Sequence, residues 1–312
     1  MGTRNHHKSK KSNKSKKIFR RTRSKRQIGG DNTDTDNNEF LIAAESGNNE
    51  LVITLLDNGA NIDTKNEYGN TSLIQASRYN KQEVVTELLK RKATVDIQDN
   101  YGYTALIYAV IHGYVEIVNK LLTKGADVNL QNKFGGTSLM FAIKGAHHEI
   151  IKELLKKDMD IDNRDIMHNT ALIYASKRGY VDIATTLLDK GADVNVKNKV
   201  GYTPLIIASE KGNVEMVKTL LDKGADVNLI TNNGDSAHDV AVKENKIDIM
   251  NLIQSKIDKN ALRDSGIRKI IGDDPEGEVS GWLGGRKTKK LRKNKNSKKK
   301  QIRTKKNKKG QC

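Results

Sequence analysis

Ten residues beginning at Asp189, DKGADVNVKN, return almost unchanged from Asp222 as DKGADVNLIT, and an earlier copy, TKGADVNLQN, begins at Thr123. Gly125, Gly191 and Gly224 are separated by 66 and 33 residues. Copies on a fixed grid are the signature of a repeat architecture, in which each unit is one supersecondary element stacked on the next. The grid extends well beyond this phrase. Gly69, Gly102, Gly135, Gly201 and Gly234 fill one column, interrupted by His168. Two residues on come Thr71, Thr104, Thr137, Thr170, Thr203 and Ser236, and five further on Ala76, Ala109, Ala142, Ala175, Ala208 and Ala241, with Ala43 starting that series. Seven units fit without insertion, at 33–65, 66–98, 99–131, 132–164, 165–197, 198–230 and 231–263.

Each column has a physical role. A Thr or Ser after a glycine turn predicts a helix N-cap, its hydroxyl accepting from a free N–H of the first turn. Pro204 follows Thr203 at the first helical position, where its missing N–H costs nothing. In TALIYAV, Leu106 and Ala109 share one helical face. The recurring alanine predicts close helix–helix contact. Gly47, Gly113, Gly179 and Gly212 predict left-handed helix ends. A second helix follows, as in VEIVNKLL at 115–122, and Gly125 stops it. ADVNLQNKFGG then predicts an extended turn into the next unit.

Helix, turn, helix and β-turn in 33 residues resembles the ankyrin repeat. The family motif G-x-T-P-L-H-x-A-A stands here as GYTPLIIAS at 201–209 and GYTALIYAV at 102–110, and V-x-x-L-L-x-x-G-A-D-V-N as VEIVNKLLTKGADVN and VEMVKTLLDKGADVN. The resemblance covers about three quarters of the chain and implies an all-α solenoid of about fourteen short helices. One departure stands out: the motif histidine is replaced by Ile74, Ile107, Met140, Ile173 and Ile206, so its hydrogen bonds between repeats are expected to be missing. The outer units look like caps. The first lacks the glycine and threonine, and the seventh puts His238 and Asp239 where inner units carry Leu and Ile. Terminal repeats need one polar face.

The net charge of +18 divides sharply. Residues 1–30 and 281–312 together carry 27 Lys and Arg and no acid, leaving −9 for 31–280. Such segments repel themselves and lack core-forming residues, so disordered basic tails are predicted at 1–32 and 286–312, with a linker at 264–285 holding Trp282. RRTRSKR at 20–26 and KNSKKK at 295–300 suit nuclear import or non-specific contact with nucleic acid or another polyanion, or else a solubilising role. Apart from Phe19 no aromatic interleaves the charges of these tails, so no platform for stacking on bases is expected.

No apolar stretch is long enough to cross a bilayer. The basic N-terminus lacks the apolar segment of a secretory signal, and His6 breaks the myristoylation pattern. The single cysteine, Cys312, permits no internal disulfide and is misplaced for prenylation. An intracellular protein, nuclear or cytoplasmic, is expected. Nucleophile elbow, Walker loop, HExxH and dinucleotide-binding glycines are all missing, so no enzyme, metal or cofactor is expected. The AT-rich residue bias and glycine-then-lysine tail resemble ankyrin proteins of giant DNA viruses; intracellular bacteria and AT-rich protists encode such arrays too.

Stacked repeats create an extended concave surface built from turn tips and first-helix ends. The tips offer Tyr68, Asn70, Tyr101, Tyr103, Phe134, Met167, Asn169, Val200 and Tyr202. The helix ends add Arg78, Tyr79, Ile111, His112, Lys144, Lys177, Arg178, Glu210 and Lys211. Tyr, Phe, Met and Arg are enriched at interface cores. The plainer alternative is that an aromatic before a turn glycine shields the neighbouring loop. The expected function is a monomeric protein–protein interaction scaffold; the alternative is a nucleic-acid-associated protein whose tails are primary and whose repeats are an adaptor. The resemblance also implies asparaginyl hydroxylation at the last residue of the A-D-V-N turn. Asn129, Asn195 and Asn228 match that position, although asparagine also stabilises such a turn unmodified.

Overall fold

A computed structural model of the chain describes residues 32–264, with side chains from 36 to 263. The tail and linker expectations for 1–31 and 265–312 lie outside the described residues. Within them the chain forms fourteen helices in seven pairs and no strand. The pairs are α1 (Asn32–Ser46) and α2 (Asn49–Asp57), α3 (Ser72–Arg78) and α4 (Gln82–Lys90), α5 (Ala105–Ile111) and α6 (Val115–Thr123), and α7 (Ser138–Lys144) and α8 (His148–Leu155). They continue with α9 (Ala171–Arg178) and α10 (Val181–Asp189), α11 (Pro204–Lys211) and α12 (Val214–Asp222), and α13 (Ala237–Lys243) and α14 (Ile247–Asp264). First helices pack on first helices in sequence order, and second helices on second helices, least closely where α8 meets α10.

Local chemistry sets the starts of the first helices from the second unit on. Thr71, Thr104, Thr137, Thr170 and Thr203 each accept from the backbone N–H three residues on. Ser236 does so within a reciprocal capping box, where Asp239 accepts the Ser236 N–H at 3.0 Å. The polar Asp239 of the last unit is therefore a helix-start residue as well as an outward one. First helices end in a left-handed residue, and the conformation persists where glycine is lacking: Asn80, Ala146 and Asn245 hold φ of 56°, 60° and 53°.

The alanine column is fully buried, from Ala76 to Ala241, because adjacent first helices meet there. Ile74, Ile107, Met140, Ile173 and Ile206 are equally buried. Where the family motif has a hydrogen-bonding histidine, this chain substitutes apolar burial, each side chain contributing about 1.5–3 kcal/mol.

Polar links between units run through the turns. The carbonyl of Tyr68 accepts from Asn100 N–H at 2.9 Å, and Tyr101, Phe134, Met167 and Val200 repeat the bond to Lys133, Ile166, Lys199 and Asn232. A second series uses the end of the A-D-V-N turn. The Asn129 side-chain oxygen accepts from Asp160 N–H at 2.9 Å, and Asn195 from Asp226 N–H at 2.8 Å. Asp63, Asp96 and Asp162 make the same bond to Thr94, Asp127 and Asp193. Asparagine here staples one unit to the next, more than it shapes its own turn. The backbone N–H of all three asparagines bonds to the Asp two residues before, but the Asn228 side chain turns to that same Asp226 through its Nδ2.

Candidate interaction face

The turn ladder has a consequence for side chains. The residues whose carbonyls accept its bonds, Tyr68, Tyr101, Phe134, Met167 and Val200, each leave an apolar side chain between 47% and 56% exposed. One such group in each of the second to sixth units forms a row along the turn tips. A backbone bond to the following unit holds each member, so the spacing is fixed without the side chains themselves being buried.

Beside it lies a second row at the middle of the first helices: Gln75, Tyr108, Phe141, Tyr174, Ile207 and Val240. These residues were not foreseen as site residues. Tyr108 donates its hydroxyl hydrogen to Asp99 Oδ2 at 2.7 Å, and Tyr174 does the same to Asp165. The other carboxylate oxygen is already committed. Asp99 Oδ1 accepts from the N–H groups of Tyr101 and Tyr103, and Asp165 Oδ1 from those of Met167 and Asn169. In the unit between, Asn132 Oδ1 takes the same two backbone bonds, to Phe134 and Gly136, but faces Phe141, which has no hydroxyl. The signal was present in the sequence as paired variation. The residue nine before the ring is Asp wherever the helix carries Tyr, and Asn or Thr where it carries Gln, Phe, Ile or Val.

The electrostatics follow from half-burial. Burial and the adjoining carboxylates push the Tyr108 and Tyr174 phenols well above their ordinary value, so both stay protonated donors. Burial pushes Asp165 upward, but the bonds from Tyr174, Asn169 and Met167 outweigh it and hold the carboxyl below the usual range. Burial lowers Lys144, with Asp165 opposing and Lys177 assisting the shift. The Lys144 ammonium sits 4.2 Å from the Tyr174 ring centroid and 5.3 Å from that of Phe141. Arg78 lies over Tyr108 at 5.2 Å and Tyr79 at 5.5 Å. Such cation–ring contacts contribute about 0.5–2 kcal/mol. Each cation reaches the ring of the following unit.

The residues expected from the sequence divide accordingly. Tyr68, Tyr101, Phe134 and Met167 stand in the exposed row, with Tyr79 exposed beneath Arg78. Tyr103 is half-buried and bridges the rows, its ring 5.2 Å from Tyr108 and 5.9 Å from Phe141. Tyr202 and Ile111 are half-buried. Asn70 is buried at 4% exposure and offers a partner little surface. Asn169 is occupied by Asp165 and by Asn198. His112 stacks on Tyr114 at the start of α6 and does not join the aromatic row. Lys177 and Arg178 are exposed, the latter donating to Lys144 O at 2.8 Å. Lys211 pairs with Glu210 at 3.4 Å. Among the described residues no helix is long and apolar enough to cross a membrane.

Comparison with curated protein sequences finds no match. The ankyrin repeat domain of human ASB11 is a similar solved structure, at 29% identity and a TM-score of 0.58, over 69% of this chain and 96% of that one. The family description "Ankyrin repeats (3 copies)" matches in three overlapping stretches, 40–132, 116–198 and 192–263. Capped first helices, a buried alanine column and turn-to-turn bonds from the second unit to the seventh thus agree with an independent match across most of the chain, which belongs to the ankyrin-repeat family.

Proposed function

We propose that the chain is an interaction scaffold which holds a protein partner against the turn tips and first helices. Ankyrin repeats are in general protein–protein interaction modules, and the fold is typically that of a non-catalytic scaffold. The observation that carries the reading is the exposed row of Tyr68, Tyr101, Phe134, Met167 and Val200, held in place by backbone bonds. Apolar groups normally left singly on a surface need no explanation, but a periodic file of them beside cations does. The rims of such surfaces are polar and their anchors aromatic, which the flanking lysines and arginines match. The test places a photo-crosslinking benzoylphenylalanine at Phe134, and as a control at the exposed Lys152 of α8. Partner crosslinks from the first position alone are expected; crosslinks only from the second would overturn the reading.

The basic termini support a second role in the same molecule. Their 27 positive charges flank a body of −9, a division suited to polyanion contact or to nuclear targeting. Hydroxylation of Asn129, Asn195 or Asn228 remains a proposal that peptide mass spectrometry decides, by the presence or lack of one added oxygen on those turns.

A further inference from the structure

The cations of the first-helix row are not equivalent. In the sixth and seventh units Lys211 pairs with Glu210 and Lys243 with Asp235, at 3.4 and 2.6 Å. On the second helices the pairing is similar, as in Arg91 with Asp57 and Glu87 or Lys223 with Asp189. In the fourth and fifth units Lys144, Lys177 and Arg178 make no ion pair among the described residues. The carboxylate that acts on Lys144 is Asp165, and it is 8% exposed and committed to Tyr174, Asn169 and Met167. At this position of the first helices, Lys144 and Lys177 are the one case among the described residues where consecutive units both carry a cation, and neither has a carboxylate partner.

A further unmet polar group lies in the same place. Asn132, 4% exposed, has its Nδ2 buried with no acceptor, at the position where the neighbouring units hold a carboxylate oxygen bonded to tyrosine. That donor is enclosed, so the groups open to a partner here are the cations of Lys144, Lys177 and Arg178.

Geometry restricts what can satisfy them. Lys144 and Lys177 occupy the same position on consecutive packed helices, α7 and α9. Packed helix axes lie about 8–10 Å apart. A polyproline II segment rises about 3.1 Å per residue with three residues per turn, so side chains three apart share a face at about 9 Å. A β-strand matches the distance less well, because residues three apart point to opposite faces. Resting on the interaction reading above, we infer that the first-helix face of the fourth and fifth units takes an acidic protein segment in polyproline II conformation. Its carboxylates recur every third residue, set against Lys144 and Lys177, with Arg178 beside them. The exposed side chains of Phe134 and Met167 then meet apolar residues of the same segment.

The test uses the full chain and two fluorescent peptides of equal composition: five repeats of Glu-Pro-Pro, and the same glutamates in one block followed by the prolines. Basic tails attract both peptides by charge alone and do not distinguish them. The periodic peptide is expected to bind about tenfold more tightly near physiological salt, where tenfold corresponds to about 1.4 kcal/mol. The triple variant Lys144→Glu, Lys177→Glu, Arg178→Glu should abolish that preference. The control Lys124→Glu, Lys157→Glu, Lys190→Glu carries the same charge change at exposed positions elsewhere and should retain it. Equal affinity for the two peptides, or a preference that survives the first triple variant, overturns the inference. So does a thymidine oligonucleotide whose binding shows the same dependence on that variant, since the face would then be a nucleic-acid site. If the partner crosslinked from Phe134 proves neutral or basic, the acidic segment is wrong while the interaction scaffold stands.

Discussion

The Tyr108 hydroxyl and the Asp99 carboxylate, nine residues apart in one unit, meet at 2.7 Å beneath the interaction face. The same link recurs between Tyr174 and Asp165, whereas Phe141 and Asn132 replace both partners at once. A carboxylate oxygen with no donor would be a buried acceptor left unmet, and this chain avoids one by changing the two positions together. Tyr108→Phe is therefore expected to destabilise by about 1–2 kcal/mol, through loss of a charge-assisted bond. Adding Asp99→Asn recreates the natural 132–141 pair, in which the unmet group is an uncharged amide donor, and should recover part of the loss. Urea denaturation of the two single variants and the double variant measures this; additive losses would show that the pair is not coupled.

Acid should discriminate between two neighbouring carboxylates. Asp165 is held below its ordinary value when folded, so its contribution is present above the unfolded value of about 3.9 and is lost as pH falls through the folded one. The stability difference between wild type and Asp165→Asn should accordingly be largest at neutral pH and shrink below about pH 4. Asp162 has the opposite sign. Burial raises it, against the lowering effect of the bond from the Asp193 N–H and with help from the charges of Asp193 and Asp160, so its charge opposes folding at neutral pH. Asp162→Asn is expected to stabilise by up to about 1 kcal/mol at pH 7, converging with wild type in acid. Thermal melts across pH for both variants check the signs.

Ala175 is fully buried where α9 meets its neighbours. Ala175→Leu should destabilise by about 1–3 kcal/mol, because extra volume in a packed contact forces the helices apart. An unchanged melting temperature would contradict the close approach at this column.

Ala146 occupies a left-handed turn at φ 60°, where four other units carry glycine. A side chain there costs about 1–2 kcal/mol, partly offset by the greater freedom of glycine in the unfolded chain. Ala146→Gly is expected to stabilise by about 0.5–1 kcal/mol in the same denaturation assay. A loss of stability would mean that the Ala146 methyl is held by contacts worth more than the strain.

The termini yield a salt-dependent expectation. If they contact nucleic acid through phosphates, engaging about 6–10 of them lowers affinity by about 10³–10⁵ between about 50 and 200 mM salt. Gel shifts of the full chain against a form lacking 1–30 and 281–312 test this. Retained binding by the shortened form would place the nucleic-acid contact on the repeats.

Periodicity made the fold readable almost completely, because capping threonines, helix-ending glycines and buried alanines act locally and leave their mark at fixed spacing. The face was readable only in part. Tyr68, Tyr101, Phe134 and Met167 stood out because they adjoin the glycine column. Tyr108, Phe141 and Tyr174 did not, since an aromatic inside a short apolar helix reads as core. Their half-exposure depends on which neighbour covers the middle of α5, α7 and α9, a property of stacking that no single unit encodes. Asn70 went the other way: its place beside a turn glycine suggested exposure, but it is buried, with its N–H bonded to Asn66 Oδ1 of its own turn.

The two kinds of contact on the face belong to different levels of the repeat. Asp99 and Tyr108 sit inside one unit, whereas Arg78 reaches Tyr108 from the unit before. Duplication or exchange of whole units therefore copies the carboxylate–phenol pair as a sealed cassette and never separates its members. The cation over the ring is reassigned at every new junction. A lineage of such arrays can thus redraw the charge pattern it shows to partners by shuffling units alone, with the buried polar chemistry of each unit left intact.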